Sequence, residues 1–126
     1  GGDKCTMDKF NLCESEYRFA SIVWEHEPLG SGELVKLCHE KLGWKKSTTY
    51  TVLKKLCERE ILKNNNSTVS AIVKQEQVQK FESEQFLSKT FNGSLPQFIA
   101  SFMSDKKLSK KEADDLKKLI ESYKEG

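Results

Sequence analysis

The sequence predicts a mainly α-helical protein: an N-terminal winged helix of three helices and a small β-hairpin, followed by a C-terminal helical dimerisation module. Two observations favour this fold class. Apolar residues recur at helical spacing along most of the 126 residues, and a β-prone stretch follows the third helical segment. A chain of this length forms one small domain or one domain with an appendage. We place the winged-helix domain at residues 11–74 and the dimerisation module at residues 75–123.

The first two helices have clear ends. The first begins near Glu14 and is stopped by Pro28 and Gly30, and Ser31 is expected to cap the second, which Gly43 ends. The inward side chains expected on the first helix are Tyr17, Ala20, Val23 and Trp24, with Phe19 and Ile22 flanking them. Those expected on the second helix are Leu34, Val35, Cys38 and Leu42.

A third helix is predicted from about Lys45 or Ser47 to Glu60, so about three residues around a glycine join it to the second. This spacing is typical of a helix-turn-helix. The inward stripe of the third helix is Thr49, Val52, Leu53 and Leu56.

Two short β-prone runs, residues 61–63 and 68–73, flank the polar segment Asn64–Ser67. Asparagine tolerates the left-handed backbone conformation that tight turns need, so this pattern predicts a hairpin that completes a winged helix. A flexible polyasparagine linker is the alternative.

The C-terminal third is predicted to be helical. One helix runs from about Gln75 to Thr90, a short one opens at Pro96, and Ser109 with Glu112 forms a capping box for the last. The narrow apolar stripe of that charged last helix cannot build a core by itself. It predicts a seam with a second copy; docking against the first domain is the alternative. The residues expected at the seam are Phe81, Phe98, Phe102, Ala113, Leu116, Leu119, Ile120 and Tyr123.

Positive charge is concentrated in one segment. Residues 41–63 hold seven basic and two acidic side chains, although the whole chain carries only +2. A solvated helix face would give the same count. On the third helix, however, no acidic residue interrupts the outward face before Glu58. Lysines suit phosphates, and hydroxyl-bearing side chains can reach base edges in the major groove. The predicted DNA-binding residues are Lys45, Lys46, Ser47, Thr48, Tyr50, Thr51, Lys54 and Lys55.

Other function classes find little support. The four cysteines, Cys5, Cys13, Cys38 and Cys57, form no CxxC pair, and His26 and His39 complete no zinc spacing. We therefore expect reduced thiols, no metal and no cofactor. No nucleophile elbow, phosphate loop or paired-carboxylate motif is present, and the pairs Ser15–Glu16 and His39–Glu40 read as ordinary surface neighbours. The chain is not expected to be an enzyme.

No apolar run is long enough to span a membrane and no signal peptide opens the chain, so we expect a soluble, cytoplasmic protein. Its hydrophobic content of 37% is low for a chain that must bury all its apolar surface internally, which suggests burial against a partner.

Four segments in order carry a family resemblance: residues 14–24, 43–56, 91–96 and 108–112. With this order and spacing the chain resembles the penicillinase-repressor (BlaI/MecI) family over roughly residues 11–123. The resemblance implies a homodimeric winged-helix transcriptional repressor on inverted-repeat operators of β-lactamase or other antibiotic-resistance genes. It also implies a membrane-bound sensor-protease as upstream regulator, with derepression by cleavage of the repressor in its C-terminal module.

By position, the resemblance implies a recognition helix at residues 46–55 and a cleaved bond between Ser101 and Phe102. Characterised members have Asn-Phe at that bond. They also have an aromatic-rich second wing strand that this chain lacks, which leaves Asn65, Asn66 and Ser67 as weaker candidates for backbone contacts. A copper-responsive branch carries clustered C-terminal cysteines, and their absence here argues against copper sensing.

Two other functions fit the same fold. One is a winged-helix repressor that a small ligand releases from DNA, and the other is a winged-helix module that binds protein and no DNA. Salt-dependent retention on DNA distinguishes the second from a repressor.

Overall fold

A computed structural model of the chain describes residues 10–124, which contain six helices and three short strands. In chain order the elements are α1 (Glu14–His26), β1 (Leu29–Gly30), α2 (Ser31–Leu42), α3 (Lys46–Glu58), β2 (Leu62–Asn65), β3 (Thr68–Ala71), α4 (Gln75–Phe91), α5 (Leu95–Phe102) and α6 (Lys110–Tyr123). This arrangement confirms the predicted fold class of three helices, a hairpin and C-terminal helices. No helix within this range is long and apolar enough to cross a membrane.

The strands form one antiparallel sheet in the order β1-β3-β2. In the hairpin, Leu62 pairs with Ala71 and Asn65 with Thr68. Asn64 and Asn65, both expected in the turn, therefore belong to strand β2. The turn itself is only Asn66 and Ser67, both at positive φ (49° and 65°), as a tight two-residue hairpin turn requires. The polyasparagine segment is thus ordered in the hairpin and does not form a linker.

The sequence predicts the two hairpin strands but not β1. Its two residues, Leu29 and Gly30, pair with Val69 and Thr68. Helix α2 follows β1 directly, and its N-cap is Gly30 and not the predicted Ser31. Ser31 is instead the first helical residue, and its backbone N–H donates to the carbonyl of Ser67 at 2.8 Å. The tip of the hairpin is thereby held at the start of α2.

The core confirms most of the predicted inward positions. On α1, the predicted inward residue Val23 is fully buried, and so is Phe19, a residue expected on the flank. Tyr17 and Trp24 are half-buried and meet edge to face, with centroids 5.4 Å apart. The indole N–H of Trp24 donates to the carbonyl of Val73 at 3.0 Å, so α1 also holds the end of the hairpin. The buried apolar residues are Leu12, Phe19, Ala20, Ile22, Val23, Leu29, Leu34, Cys38, Leu53, Leu56, Ile61, Leu62, Val69, Ala71, Val73 and Val78.

The chain divides into two compact units within α4, one ending at Gln85 and one beginning at Phe86. We call them the N-terminal unit and the C-terminal unit. The first turns of α4 belong to the N-terminal unit: Val78 is fully buried there, and Phe81 lies against Phe10 with ring centroids 6.0 Å apart.

The C-terminal unit consists of the end of α4, α5 and α6. Ser94 caps α5 by accepting from the backbone N–H of Gln97 at 3.2 Å. Ser109 and Glu112 form the predicted capping box of α6. No side chain of this unit within the described range is buried, although the unit is rich in aromatic and aliphatic residues.

Candidate nucleic-acid interface

The turn between α2 and α3 fixes where α3 begins. Gly43 adopts a left-handed conformation (φ 70°), which favours glycine because a side chain would strain the backbone. Its N–H donates to the carbonyl of His39 at 3.1 Å, and the N–H of Trp44 donates to the carbonyl of Cys38 at 3.3 Å. These bonds close the end of α2 and start α3 at Lys46, three residues later.

An aromatic stack secures this turn to the core. The ring of Trp44 lies over the ring of Phe19 with centroids 5.6 Å apart and an interplanar angle of 13°. Phe19 belongs to α1 and is fully buried. The N-terminal end of α3, with Lys45 and Lys46, is therefore anchored on α1.

The buried face of α3 contains three of the four predicted inward residues, and the fourth, Val52, is half-buried. Thr49, Leu53 and Leu56 are at most 3% exposed. The hydroxyl of Thr49 donates to the carbonyl of Lys45 at 3.3 Å, which satisfies a buried polar group.

The opposite face of α3 brings together most of the predicted DNA-binding residues. All the side chains on this face and at the helix start are exposed: Lys45, Lys46, Ser47, Thr48, Tyr50, Thr51 and Lys54. The first turn contains no acidic residue and the N-cap, Lys45, makes no side-chain capping bond. The first backbone N–H groups of α3 therefore remain for an external acceptor, which favours an anion at this end of the helix.

The carboxylates of the described residues leave the charges on this face unneutralised. Within residues 10–124, no carboxylate lies within 4 Å of the ammonium groups of Lys45, Lys46 or Lys54. Lys41 differs, with its ammonium 3.9 Å from a carboxylate oxygen of Glu25. A face with unpaired lysines, hydroxyl groups and one tyrosine provides donors for phosphates and base edges.

Lys55, the eighth predicted residue, is engaged elsewhere. Its ammonium lies 2.9 Å from Oε2 of Glu16, a residue of α1 that is only 6% exposed. The interpretation of Glu16 as a surface neighbour of Ser15 is therefore wrong. The capping role of Glu16 has a weak sequence signal, because a glutamate three residues after the N-cap, here Cys13, is typical of a capping box.

Three residues donate to the carboxylate of Glu16: Lys55, Arg59 and Cys13. Arg59 lies beyond the end of α3 and places Nη1 3.4 Å from Oε1 of Glu16, and the backbone N–H of Cys13 donates to the same oxygen at 3.1 Å. Burial would raise the pKa of the Glu16 carboxyl, but the hydrogen bonds from Lys55 and Cys13 and the charge of Lys55 outweigh it. The pKa is lowered on balance, so Glu16 is an anion at neutral pH.

The hairpin tip is the second exposed polar feature of the N-terminal unit. Asn65, Asn66 and Ser67 are all exposed, and Lys63 on β2 is the basic residue of the hairpin. These groups can donate to or accept from a backbone but bring little charge.

The seam residues predicted for the C-terminal part fall in two units. Phe81 lies against Phe10 in the N-terminal unit. In the C-terminal unit, Phe98 contacts Phe86, Phe91 and Phe102 at centroid distances of 5.5–5.9 Å. On α6, Ala113 is half-buried, and Leu116, Leu119, Ile120 and Tyr123 are exposed by 39–82%.

The Ser101–Phe102 bond lies in the last turn of α5, and both residues are exposed. The carbonyl of Ser101 accepts from the hydroxyl of Ser104 at 3.0 Å. The ammonium of Lys106 lies 4.0 Å from the centre of the Phe102 ring. A non-helical connection over residues 103–109 follows and leads into α6.

Cys13, Cys38 and Cys57 are free thiols, and Cys5 lies outside the described residues. Burial raises the pKa of Cys38, which a hydrogen bond with Thr49 partly offsets, and burial also raises the pKa of Cys57. Within the described range, no three His, Cys, Asp or Glu side chains are grouped so that they could hold a metal.

A helix-turn-helix with an exposed basic second helix, followed by a β-hairpin, defines a winged-helix protein. The family model described as penicillinase repressor matches residues 12–122. The chain belongs to this family of transcriptional repressors.

Three relatives match over nearly their whole length. The penicillinase repressor of Bacillus licheniformis is 20% identical over 117 residues, which cover 90% of this chain and 91% of that protein. The penicillinase repressor of Staphylococcus aureus is 21% identical, with 84% and 87% covered. The methicillin resistance regulatory protein MecI of Staphylococcus aureus is 17% identical, with 88% and 94% covered.

Proposed function

We propose that this protein is a homodimeric, DNA-binding repressor that acts in the cytoplasm on inverted-repeat operators of antibiotic-resistance genes. The names of the relatives, penicillinase repressor and methicillin resistance regulatory protein, supply the class of regulated gene. The observation that carries the proposal is the exposed face of α3, where lysines and hydroxyl groups occur without an intervening acid.

In this proposal each protomer inserts α3 into the major groove of one half-site. Lys45, Lys46 and Lys54 contact phosphates, together with the N–H groups of the first turn. Ser47, Thr48, Tyr50 and Thr51 face the base edges. Lys55 is on the same helix, with its ammonium held by Glu16. Asn65, Asn66 and Ser67 contribute at most weak backbone contacts from the hairpin tip.

The apolar surface of the C-terminal unit supports a homodimer. Nine of the eleven large hydrophobic side chains exposed within residues 10–124 belong to this unit, and α6 contributes four of them. Clusters of exposed large apolar side chains are uncommon on monomeric proteins and typically mark an interaction site. A second copy covers it most simply, because a two-fold dimer matches a two-fold operator.

Proteolysis of the C-terminal unit is the proposed switch, with a membrane-bound sensor-protease upstream. The Ser101–Phe102 bond is exposed, and a non-helical connection follows it at once. Cleavage there separates α6 and its apolar stripe from the rest of the chain. The dimer then loses its seam, and the affinity gained by linking two DNA-binding units disappears.

The test is the salt dependence of binding to an inverted-repeat duplex, with the full chain beside a version truncated after Ser101. If each protomer neutralises about four phosphates, log K of the full chain should fall with log salt at a slope of about −7. Truncation should abolish dimerisation and tight binding. Tight binding that survives truncation would reject the proteolytic switch, and a slope near zero would reject the DNA-binding role.

A further inference from the structure

A buried carboxylate lies behind the proposed DNA-binding helix and has no role in the contacts proposed so far. Glu16 is on α1, its side chain is 8% exposed, and it receives Lys55 at 2.9 Å and Arg59 at 3.4 Å. Lys55 and Arg59 are four residues apart, so both reach α1 from the same side at the end of α3. The guanidinium of Arg59 also donates to the carbonyl of Asn11 at 2.8 Å.

The ion pair and the aromatic stack secure opposite ends of α3 to the same helix. Trp44 on Phe19 anchors its beginning, and Glu16 with Lys55 and Arg59 anchors its end. A rigidly held α3 keeps its outward side chains in one orientation, which base recognition requires.

The ion pair with Glu16 makes Lys55 different from its neighbour Lys54. Lys54 and Lys55 are both exposed, but only Lys55 has a carboxylate within 4 Å in the part of the chain that the structure describes. Moving Lys55 to a phosphate would deprive a buried anion of its closest cation, and leaving a buried charge poorly paired is costly. Lys54 can bind a phosphate without such a loss.

We propose that Glu16 is a specificity-determining residue: it holds Lys55 away from DNA phosphates and fixes the end of α3, which limits binding that is independent of base sequence. Phosphate contacts strengthen binding to every duplex equally, whereas base contacts discriminate. A protein that withholds one positive charge per protomer loses sequence-independent affinity and keeps its discrimination. This inference rests on the proposed function.

The experiment compares full-length wild type with Glu16→Gln, Lys55→Gln and the matched control Lys54→Gln. The probes are a duplex with the inverted repeat that the wild type selects from a random pool, and a scrambled duplex of equal length and composition. Each Kd is measured over a series of salt concentrations. Glutamine keeps the shape of Glu16 and can still accept from the N–H of Cys13, but it releases Lys55.

Lys54→Gln should reduce the salt slope of a dimer by about 1.8, which corresponds to one phosphate contact per protomer. Lys55→Gln should change it by less than about 0.5. Glu16→Gln should steepen the slope by up to about 1.8 and tighten binding to the scrambled duplex by about tenfold, because Lys55 becomes free to bind a phosphate. It should also reduce the ratio of specific to non-specific affinity, because the end of α3 is no longer fixed and the base contacts weaken.

Equal loss of slope in Lys54→Gln and Lys55→Gln would overturn the inference, because Lys55 would then be a phosphate contact. The same conclusion follows if Glu16→Gln is folded and leaves both slopes and the affinity ratio unchanged. If Glu16→Gln does not fold, the salt slopes of Lys54→Gln and Lys55→Gln still test whether Lys55 contacts a phosphate. A wild type without salt-dependent binding would instead reject the proposed function itself.

Discussion

The indole ring of Trp44 stacks on the phenyl ring of Phe19, with centroids 5.6 Å apart and an interplanar angle of 13°. Trp44 directly follows the glycine turn that ends α2, and two residues later α3 begins. The stack therefore ties the start of the proposed DNA-binding helix to the core of the N-terminal unit. It is a non-local contact, joining side chains 25 positions apart in the chain.

Replacing Trp44 by alanine should destabilise the protein by about 2–4 kcal/mol, because a half-buried aromatic ring and its stacking partner are lost. Trp44→Phe keeps a ring over Phe19 and should lose less than half as much. Urea denaturation can be followed by the fluorescence of Trp24, which remains in both variants. Equal stability of wild type and Trp44→Ala would contradict an anchoring role.

The lysine and hydroxyl residues of α3 should give different binding defects. Lys46→Ala and Lys54→Ala should weaken binding to all duplexes and each reduce the salt slope of a dimer by about 1.8. Thr48→Val and Tyr50→Phe should leave the slope unchanged and alter the preference among operator variants by about tenfold. Electrophoretic mobility shifts across a panel of duplexes would measure both effects. If all four variants behave alike, the division of roles is wrong.

Protein stability at acidic pH should depend on Glu16. Its pKa is below its ordinary value of 4.5 in the folded protein, so the unfolded chain takes up a proton first as the pH falls. The stabilisation from Glu16 is therefore complete above about pH 4.5 and is lost as the pH decreases through the lowered folded pKa.

Urea denaturation at several pH values would measure this dependence. The difference in unfolding free energy between wild type and Glu16→Gln should be about 1–3 kcal/mol at neutral pH. It should shrink towards zero as the solution is acidified below about pH 4. A constant difference over that range would show that the charge of Glu16 makes no contribution.

The thiols should differ in reactivity. Cys13 is exposed, whereas Cys38 is fully buried and burial raises its pKa, so it forms little thiolate near neutral pH. Brief alkylation of the native protein with iodoacetamide, followed by peptide mass mapping, should label Cys13 at least about ten times faster than Cys38. Comparable rates would mean that the core around Cys38 opens readily. Denatured protein, in which both should react alike, is the control.

A charge on the apolar stripe of α6 should disrupt the proposed dimer. Ile120→Glu places a carboxylate within the stripe of each protomer and should raise the dimer dissociation constant by about a hundredfold. Lys118→Glu is the matched control, because residue 118 lies on the opposite side of the helix at 100° per residue. Sedimentation equilibrium would measure both constants. If Lys118→Glu is as disruptive as Ile120→Glu, a different surface forms the dimer.

Most of the helices could be predicted from the sequence because their signals are local. The apolar period of α1 to α3, the glycine at residue 43 and the Ser109–Glu112 capping box each act within a few residues. The hairpin is predictable for the same reason. The limits of its turn are not, since asparagine suits both a left-handed turn and the exposed side of a strand.

The remaining features depend on contacts between distant parts of the chain. The strand Leu29–Gly30 forms only by pairing with residues 68 and 69. A two-residue segment such as Leu29–Gly30 has no β-strand pattern of its own in the sequence. Burial of Glu16 depends on Lys55 and Arg59, about 40 positions further on. A charged residue on a helix is ordinarily read as exposed, and only the packing of α1 against the end of α3 shows otherwise.

The C-terminal unit has no buried side chain within the described residues, so its helices gain little stability from their own chain. If a second copy covers its apolar stripe, the folding of this unit and the abundance of the protein are linked by mass action. Protomers made at low concentration would carry a loosely folded tail that cellular proteases degrade readily. The repressor would then persist only above a threshold level, and a small drop in its synthesis could end repression without any cut at a particular bond.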